Sequence, residues 1–536
     1  MTSMPSHGRR RGLAVLATGV AAALTLVGCS AGSKDSVSGS SSEPTSLKWA
    51  IASAPRALDT YGDFSSNANV VDALVYQNLV TLRNLKVEPS IASSWKATDS
   101  THYVYELNPK AVFSDGNPVT ADDVAYSLNR MVARGSTSQA ISHFRTLKSA
   151  EITGDNEVTV TLTQPDATWI YDPLFAPIVE KSVVEHAGSQ YGAPGGTVVG
   201  SGPYEVESFS ADSGIKLKLN DKFWGAKPSI KDVQFSYISD PSSLALALRS
   251  GEVDGSFGVA LSQVSQFSNI DDVKLVEGDG LSVVSLMMDT ETAPFDDIHV
   301  RKAFSYAWDG STFVKNVLKG HADVANAISS PGFWTNVTSA DDAKKKLASI
   351  PSYAFSMAKA KQELAQSSVP DGFTASISYP DARPELGQAL QVLAQNLKKL
   401  NITLNIKEIP YAQWVTLISA HKDLTIQIAQ WNPDYPDPSD FIVSQYPSSH
   451  AVQNQYNLSN YKNPEVDALI NQELASTDNA ERADIMQQIL QKVATDDPNV
   501  NMYWPHTMMA IRAPFSYSDY NGLYYSEMWV RNIGKK

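Results

Sequence analysis

Apolar strands and amphipathic helices alternate between residues 374 and 431. The segments TASISY, ITLNIKEI and LTIQIAQW are predicted as strands, with PELGQALQVLAQNLKKL and YAQWVTLISA as the helices between them. The connections of this β-α-β-α-β run are too long for hairpins, so the strands are predicted to be parallel with right-handed crossovers. Such sheets hold ligands beyond the carboxyl ends of their strands. The segments leaving those ends are PDARPE (residues 380–385), PYAQW (410–414) and NPDYPDP (432–438).

The last of these segments is both stiff and acidic. Residues 428–441, IAQWNPDYPDPSDF, combine three prolines, three aspartates and three aromatic residues. The prolines exclude a helix and remove backbone donors, which predicts a rigid loop at the ligand edge of the sheet. Asp437 and Asp440 are interpreted as residues that hold a turn and cap a helix. The aspartates lack the alternate spacing and the glycine of a calcium loop, so no metal site is predicted there.

The sequence before residue 374 predicts a mixed α/β fold. LKWAI (residues 47–51) is a predicted strand, and NANVVDALVYQNLV (67–80) has helical apolar spacing behind an Asn cap. YVYEL and EVTVTL alternate as half-buried strands, and TADDVAYSLNRMV is a helix with a Thr-x-x-Asp start. GAPGG (192–196) is interpreted as a boundary or hinge. IKLKLN and VQFSYI are then strands, and SSLALALRSG is a helix.

The N-terminus predicts export and lipidation. Three arginines precede LAVLATGVAAALTLV (residues 13–27), an apolar run too short to span a membrane comfortably as a stable helix. LVGC follows and contains Cys29, the single cysteine of the chain, in a pattern that resembles the lipobox of bacterial lipoproteins. Residues 1–28 are therefore a predicted signal peptide, Cys29 the lipidated residue, and the Ser-rich residues 29–46 a flexible tether. A plain signal peptide is the alternative, and RRRGLA leaves twin-arginine export open.

Length and charge bound the class of protein. With 536 residues the chain is expected to form two or three domains. A hydrophobic content of 43% and a charged content of 19% are typical of globular proteins. The formal net charge of -14 argues against nucleic acid as a partner, because phosphate binding needs a basic face.

No enzyme motif has the context that it needs. His-Glu-x-x-His does not occur, and Gly-x-Ser-x-Gly occurs only at residues 28–32, where the predicted signal peptide meets the tether. Ser-x-x-Lys occurs five times, without a Lys-Thr-Gly. The nine histidines show no ligand spacing, and no glycine-rich phosphate loop is present. The sequence therefore predicts neither catalysis nor a cofactor or metal.

A series of motifs in order carries a family resemblance. PSIASSWKATDSTHYVYEL and AVFSDGNPVTADDVAYSLNR (residues 89–130) are followed by GSGPYEVESF, NDKFWGAKPSIKDVQF, ALALRSGEVDG, PFDDIHVRKAFSYAWD, WNPDYPDPSDF and NPEVDALI. Together they resemble the extracytoplasmic solute-binding proteins of ABC importers, family 5, which bind dipeptides and oligopeptides. YELNPKAVFSDG lacks the arginine usual before the Asp-Gly turn, a departure expected to affect surface pairing.

The resemblance implies an α/β, two-lobed periplasmic-binding-protein-like fold of class II type with an extra inserted α+β domain. Lobe I is expected to comprise residues 47–82, 195–292 and 506–536, the inserted domain residues 83–194, and lobe II residues 293–505. It also implies a lipoprotein that captures short peptides between the lobes and delivers them to a permease with its ATPase subunits. Such a protein is expected to be monomeric and anchored by its lipid to the outer face of the bacterial cell membrane.

The same resemblance implies the roles of the site residues. Asp434 matches the aspartate that holds a peptide α-ammonium group, and Arg383 matches the arginine that holds a carboxylate. Trp431 and Tyr411 are expected to line the pocket, and two residues before the first helix, Tyr61 and Asn67, to face the cleft. The alternative is structural: Asp434 bonded to its own turn, Arg383 exposed, and Trp431 in the core.

Two other functions stay open from the sequence. The same fold can bind a non-peptide solute, an oligosaccharide or a nickel or other metal chelate. A site with charges for both peptide termini, Asp434 and Arg383, favours a peptide over a sugar. A surface-anchored hydrolase is the alternative from another class, and no motif supports it.

Overall fold

Strands and helices alternate throughout residues 45–535, the part of the chain that this computed structural model describes. Cys29, the predicted signal peptide and most of the predicted tether lie outside the described residues. The strands are β1 Ser46–Ile51, β2 Val80–Arg83, β3 Lys86–Pro89, β4 Ala92–Ala97, β5 His102–Leu107, β6 Leu147–Gly154, β7 Glu157–Leu162, β8 Tyr204–Ser210, β9 Gly214–Leu219, β10 Asp232–Tyr237, β11 Gly255–Ser256, β12 Val273–Gly278, β13 Val283–Met288, β14 Ala322–Val324, β15 Thr374–Pro380, β16 Thr403–Ile409, β17 Ile426–Trp431, β18 Asn499–Pro505, β19 Thr507–Arg512, β20 Phe515–Tyr517 and β21 Ile533–Lys535.

The helices connect these strands. They are α1 Ser66–Val75, α2 Ala121–Val132, α3 Lys181–Ala187, α4 Pro241–Ser250, α5 Val264–Phe267, α6 Ile298–Ala307, α7 Gly310–Asn316, α8 Ala340–Ala348, α9 Met357–Gln366, α10 Pro384–Leu397, α11 Tyr411–Ala420, α12 Ser439–Gln445, α13 Pro464–Ala475 and α14 Asn479–Asp496. Among the described residues, no helix is long and apolar enough to cross a membrane. The mixture of helices and sheets agrees with the expected α/β two-lobed fold.

Lobe I is built on a seven-stranded sheet of order β12-β19-β11-β1-β10-β9-β8. β1 lies in its middle and pairs in parallel with β10 and β11. The alternation in LKWAI turns Leu47 and Trp49 to one face, and both are fully buried. Trp49 packs on Trp529 from the C-terminal strip, with ring centroids 5.0 Å apart. Segments far apart in the chain therefore share one core.

The inserted domain contains a four-stranded sheet of order β4-β5-β7-β6, and its pairs are antiparallel. Helix α2 packs beside it and begins with a capping box, as the Thr-x-x-Asp motif predicts. The backbone N–H of Asp123 donates to the Thr120 hydroxyl over 3.2 Å, and the N–H of Thr120 donates to the Asp123 carboxylate over 3.0 Å. These bonds satisfy two backbone donors that a helix start leaves unpaired.

Lobe II differs from the predicted parallel run in its third strand. β15 and β16 pair in parallel, as predicted. β17 lies next to β15 but pairs antiparallel with β13, in a sheet of order β14-β18-β13-β17. Every residue of β13 (VVSLMM) is buried, which suits a strand with a partner on each side. The apolar pattern therefore predicted the strand, but its hydrogen-bonding partner lies some 140 residues earlier in the chain.

Two predicted boundaries are wrong. The segment predicted as one helix over residues 67–80 is α1, which begins after Ser65, followed by β2, which pairs with β3. The cap is Ser65, whose hydroxyl accepts the Ala68 N–H, and not an asparagine.

Lobe I was expected to continue to residue 292, but β13 already belongs to the lobe II sheet. The chain therefore first passes from the seven-stranded sheet to the four-stranded sheet at residues 279–282.

The second crossing runs from β18 to β19 through His506, which contacts carboxylates of both lobes. Its Nδ1 is 2.5 Å from Oε1 of Glu277, in β12 of lobe I, and its Nε2 is 3.2 Å from Oδ2 of Asp323, in β14 of lobe II. His321 Nδ1 lies 3.0 Å from the same Glu277 oxygen. These four side chains form the hinge cluster.

The hinge cluster predicts a pH-dependent stability. Burial alone would lower the pKa of His506, but hydrogen bonds and charge from Glu277 and Asp323 outweigh it and raise the pKa. Because the pKa of His506 is raised in the folded protein, its contribution to the free energy of unfolding is complete below the unfolded pKa of about 6.5. This contribution is lost as the pH rises through the folded pKa. Between about pH 6 and about pH 9, we expect the urea midpoint of the wild type to fall more than that of His506→Gln.

Glu277 does not titrate in this range. Although burial alone would raise the pKa of Glu277, the two histidines hold it below its ordinary value, so Glu277 stays ionised. The comparison of the wild type with His506→Gln therefore isolates the His506 imidazole. Equal losses of stability in the wild type and the variant would exclude His506 as the source of the pH response.

Candidate ligand-binding site

The loop that leaves β17 is closed by the carboxylate of Asp440. This carboxylate accepts the backbone N–H of Asp434 over 2.7 Å and that of Tyr435 over 3.5 Å. Asp440 is buried, and burial, followed by the neighbouring charge of Asp434, raises its pKa well above the ordinary value. The structure thus confirms the interpretation of Asp440 as a residue that holds the turn.

Asp437 holds the same loop to two helices. It is fully buried, accepts the Ser439 N–H over 2.9 Å as a turn residue does, and binds both Nη atoms of Arg482 over 3.0 and 3.1 Å. Arg482, in α14, also contacts Oε1 of Glu473, in α13, over 2.7 Å. Burial raises the pKa of Glu473 to about 7, although the arginine charge opposes this rise. This buried ion cluster, Asp437, Arg482 and Glu473, goes beyond the predicted turn role.

Asp434 lies where the three parts of the protein meet. Its side chain is 44% exposed, and Oδ2 is 3.4 Å from Nε2 of His143, in the inserted domain. The hydroxyl of Tyr525, in the C-terminal strip of lobe I, donates to the carbonyl of Pro433 next to it. Asp434 itself belongs to lobe II. The predicted ammonium ligand is therefore a partly open carboxylate at the junction of all three parts.

The His143 imidazole is held by aromatic rings. It stacks on Phe175 with centroids 4.0 Å apart, and Phe64 meets it edge-on at 5.2 Å. On the same loop as Asp434, Tyr435 stacks on Tyr171 of the inserted domain at 4.9 Å. The aromatic residue of the loop thus serves as a packing contact between lobe II and the inserted domain.

A second group of rings lies beside Asp434 in lobe II. Trp431 meets Tyr456 edge-on at 5.6 Å, and Tyr411 stacks on Trp414 at 6.1 Å. Burial, followed by the nearby Asp434 and Tyr411, raises the pKa of Tyr456. The buried indole nitrogens of Trp431 and Trp414 have no hydrogen-bond partner among the described residues. Three of the residues predicted for the pocket, Trp431, Asp434 and Tyr411, therefore all lie near Tyr456.

Arg383 caps α10 at the end of β15 and is only loosely paired. Its side chain is 41% exposed, and its single close carboxylate among the described residues is Glu385, with Nη1 and Oε1 3.8 Å apart. Burial raises the pKa of Tyr524 to about 12, and the Arg383 charge opposes this rise. Tyr524 and Tyr525 are neighbours in the chain, so Arg383 and Asp434 lie beside the same short strip of lobe I.

The two residues predicted before the first helix have other roles. The amide of Asn67 accepts the Ala52 N–H over 3.2 Å and donates to the Ser53 hydroxyl over 2.9 Å, which holds the loop after β1. The Tyr61 ring lies under the Arg130 guanidinium at 5.4 Å, in contact with the inserted domain. From this stretch it is Phe64 that reaches the surroundings of Asp434. No sequence motif distinguishes Phe64 from its neighbours.

His143, Tyr456 and Tyr525 were missed by sequence reasoning. His143 contacts Asp434, Tyr525 bonds the neighbouring Pro433 carbonyl, and Tyr456 lies near enough for the Asp434 charge to raise its pKa. No recognisable motif marks any of the three. No group of three or more His, Cys, Asp or Glu side chains within residues 45–535 could hold a metal ion. What the site offers is one open carboxylate, one open guanidinium and a set of rings with unpaired indole N–H groups.

Comparisons with known proteins place the chain in one protein family. The model of the family "Bacterial extracellular solute-binding proteins, family 5 Middle" matches residues 86–453. A probable D,D-dipeptide-binding periplasmic protein of Escherichia coli is 29% identical over 461 residues, covering 83% of this chain and 86% of that protein. The dipeptide-binding protein DppE of Bacillus subtilis is 26% identical over 444 residues, covering 78% of each.

Solved structures share the fold. The periplasmic binding protein DppA of Helicobacter pylori, in complex with the peptide STSA, superposes with a TM-score of 0.77 at 21% identity over 91% of this chain and 98% of that one. AgaA of A. tumefaciens, in complex with agropinic acid, gives a TM-score of 0.75 at 20% identity over 92% and 99%. The fold is therefore shared by proteins solved with a peptide and with another small solute.

The buried ion cluster predicts a large stability loss in Arg482→Leu. Removing the guanidinium leaves two buried carboxylates without their cation, which costs about 3–5 kcal/mol in comparable pairs. We expect urea unfolding to show a loss of this size. Arg249→Leu, in which an exposed arginine of α4 is replaced, is the control and is expected to change stability by about 0.5 kcal/mol or less. A loss no larger than that of the control would show that the cluster does not hold the loop.

Proposed function

Because the chain belongs to the bacterial extracellular solute-binding proteins of family 5, we propose that it captures short peptides between its lobes for an ABC importer. The family consists of extracytoplasmic solute-binding proteins rather than enzymes. Relatives described as binding dipeptides and oligopeptides match most of the chain. The finer points of the proposal, namely the ligand, its contacts and the lipid anchor, rest on the residues discussed next.

The placement of Asp434 carries the proposal. Its carboxylate is partly open, stands on a loop held by prolines and by the buried ion cluster, and lies at the junction of both lobes and the inserted domain. A carboxylate that is already fixed loses little entropy when a ligand binds. A peptide α-ammonium group has the charge and the three N–H donors that such a site recognises.

Arg383 provides the complementary charge. Its guanidinium is loosely held by Glu385 and has donors left for a ligand carboxylate, which a planar fork binds through two parallel hydrogen bonds. Arg383 would thus restrict the ligand to peptides short enough for their carboxylate to reach it.

Ligand capture would proceed by closure about the two crossing segments, residues 279–282 and His506. A ligand stabilises the closed form only through contacts that the open form lacks. Asp434 and Arg383 on lobe II, together with Tyr524 and Tyr525 on lobe I, would supply contacts from both sides. Charges on lobe II favour a peptide with free termini over a neutral sugar.

Lipidation of Cys29 would keep the protein at the outer face of the membrane. The Ser-rich residues 29–46 would act as a tether between the lipid and the first strand. The body, acting as a monomer, could then deliver its ligand to the permease and the attached ATPase subunits while staying near them.

Replacing Asp434 tests the ammonium site. Loss of one member of a desolvated charge pair costs about 2–5 kcal/mol. Each 1.4 kcal/mol or so is a factor of about ten, so Asp434→Ala should bind a short peptide with a free N-terminus at least about 30-fold more weakly. An N-acetylated peptide should bind the wild type poorly and lose little more in the variant. Isothermal titration calorimetry measures both affinities.

A matched variant controls for general effects. Asp371→Ala removes an exposed aspartate of the same lobe and should leave both affinities unchanged. Equal losses for free and acetylated peptides in Asp434→Ala would make the aspartate a turn residue only. Tight binding of a neutral solute by both proteins would favour the non-peptide alternative.

Replacing Cys29 tests the anchor. Cys29→Ser removes the sulfur that would carry the lipid, so the protein should move from the membrane fraction to the extracytoplasmic soluble fraction after a salt wash. Immunoblotting of the two fractions measures the distribution. A variant that still sediments with membranes to the same extent would contradict lipidation at this residue.

A further inference from the structure

A cavity of about 190 Å³ lies at the C-terminal end of α1, between lobe I and the inserted domain. Its wall contains no residue of lobe II, so it is separate from the Asp434 loop. Phe64 and Phe175, which line it, also contact His143 and form the partition between the two regions. The volume is sufficient for several waters or a small organic molecule.

Unpaired hydrogen-bond acceptors surround this cavity. Both carboxylate oxygens of Asp72 and the side-chain oxygens of Asn69, Gln77 and Asn78 are buried without a hydrogen-bond partner among the described residues. Asn69 and Asp72 are three residues apart in α1 and so share one face of the helix. A buried acceptor without a partner is costly, so this arrangement favours water or a guest that donates hydrogen bonds.

The charge around the cavity is negative. Asp72 is only 5% exposed, and its neighbours Asp59 and Asp63 add negative potential. Glu527, a further buried acid, also lines the wall, and Arg531 is an exposed residue of the same wall. The C-terminal end of a helix carries partial negative charge as well. Asp72 therefore faces a cavity that favours a positively charged guest.

Aromatic rings form a further part of the wall. Tyr76, Phe223 and Trp224 line the cavity in addition to Phe64 and Phe175. Ring faces attract cations and also pack against alkyl groups. A bare metal ion would use the oxygens and leave the rings unused, whereas a protonated amine with a short alkyl chain would use both.

We propose that this cavity binds a small protonated amine, with its ammonium group at Asp72 and its alkyl part against the rings. The oxygens of Asn69, Gln77 and Asn78 would accept the remaining N–H bonds. This site does not depend on the proposed peptide cleft, since the two use different carboxylates, although Phe64, Phe175 and Tyr525 lie between them.

Thermal unfolding of the purified protein with propylammonium chloride tests this site. A guest that binds only the folded form raises the melting temperature, and potassium chloride at equal concentration controls for ionic strength. The amine should raise the melting temperature of the wild type above its value in potassium chloride. An equal rise with potassium would assign the cavity to any monovalent cation, and no rise with either would assign it to water; both results would overturn the proposal.

Three variants locate the effect. Asp72→Asn should weaken amine binding by about 30-fold or more, since it removes one member of a buried charge pair. Asp172→Asn is the matched control, because Asp172 is 2% exposed, has an unpaired carboxylate oxygen and lies outside the cavity wall. Asp172→Asn should keep the rise in melting temperature caused by the amine, and so should Asp434→Ala. An effect lost in Asp434→Ala and kept in Asp72→Asn would place the amine in the cleft and overturn the proposal.

The pH dependence of amine affinity provides a test on the wild type alone. Burial, followed by Asp59 and Asp63, raises the pKa of Asp72 well above its ordinary value, and only the ionised carboxylate attracts an ammonium group. The calorimetric affinity should therefore rise from about pH 5 to about pH 8, where the amine stays protonated. An affinity that is the same at both ends of this range would exclude Asp72 as the partner.

Discussion

The loop that carries Asp434 depends on one buried ion cluster. Asp437 and Arg482 are almost fully buried and bonded through two parallel contacts, and Glu473 takes the remaining side of the guanidinium. Two carboxylates and one arginine in such surroundings are tolerated only when each finds its partner. The loop after β17 therefore has one position relative to α13 and α14. Asp434 owes its place at the junction of the three parts to this constraint.

The groups around Asp434 divide into those with satisfied bonds and those without. Asp440, Asp437 and Tyr435 are buried and fully engaged in hydrogen bonds or stacking, so they hold the loop. The carboxylate of Asp434 and the guanidinium of Arg383 are partly exposed and loosely paired. Side chains of the first kind provide rigidity, and those of the second kind keep their binding capacity for a ligand.

The same distinction separates the two regions on either side of Phe64 and Phe175. On one side of these rings lie His143 and Asp434, in contact across the junction of the parts. On the other side lies Asp72, with both carboxylate oxygens unpaired inside the wall of lobe I. A carboxylate near solvent can be paired by a ligand that arrives through the proposed cleft. A buried carboxylate can be paired only by a molecule small enough to enter the cavity that it lines.

A series of motifs in order along the sequence determined the family. Local signals by themselves determined the strands of the 374–431 region, the capping box of α2 and the position of the proline-rich loop. These features depend on neighbours within a few residues, where periodicity and turn chemistry act. Only the tertiary structure decided that β17 pairs with β13, that Asp437 meets Arg482, and that Phe64 rather than Tyr61 reaches the surroundings of Asp434. Each of these contacts joins residues far apart in the chain, and no local preference selects between the partners that packing brings together.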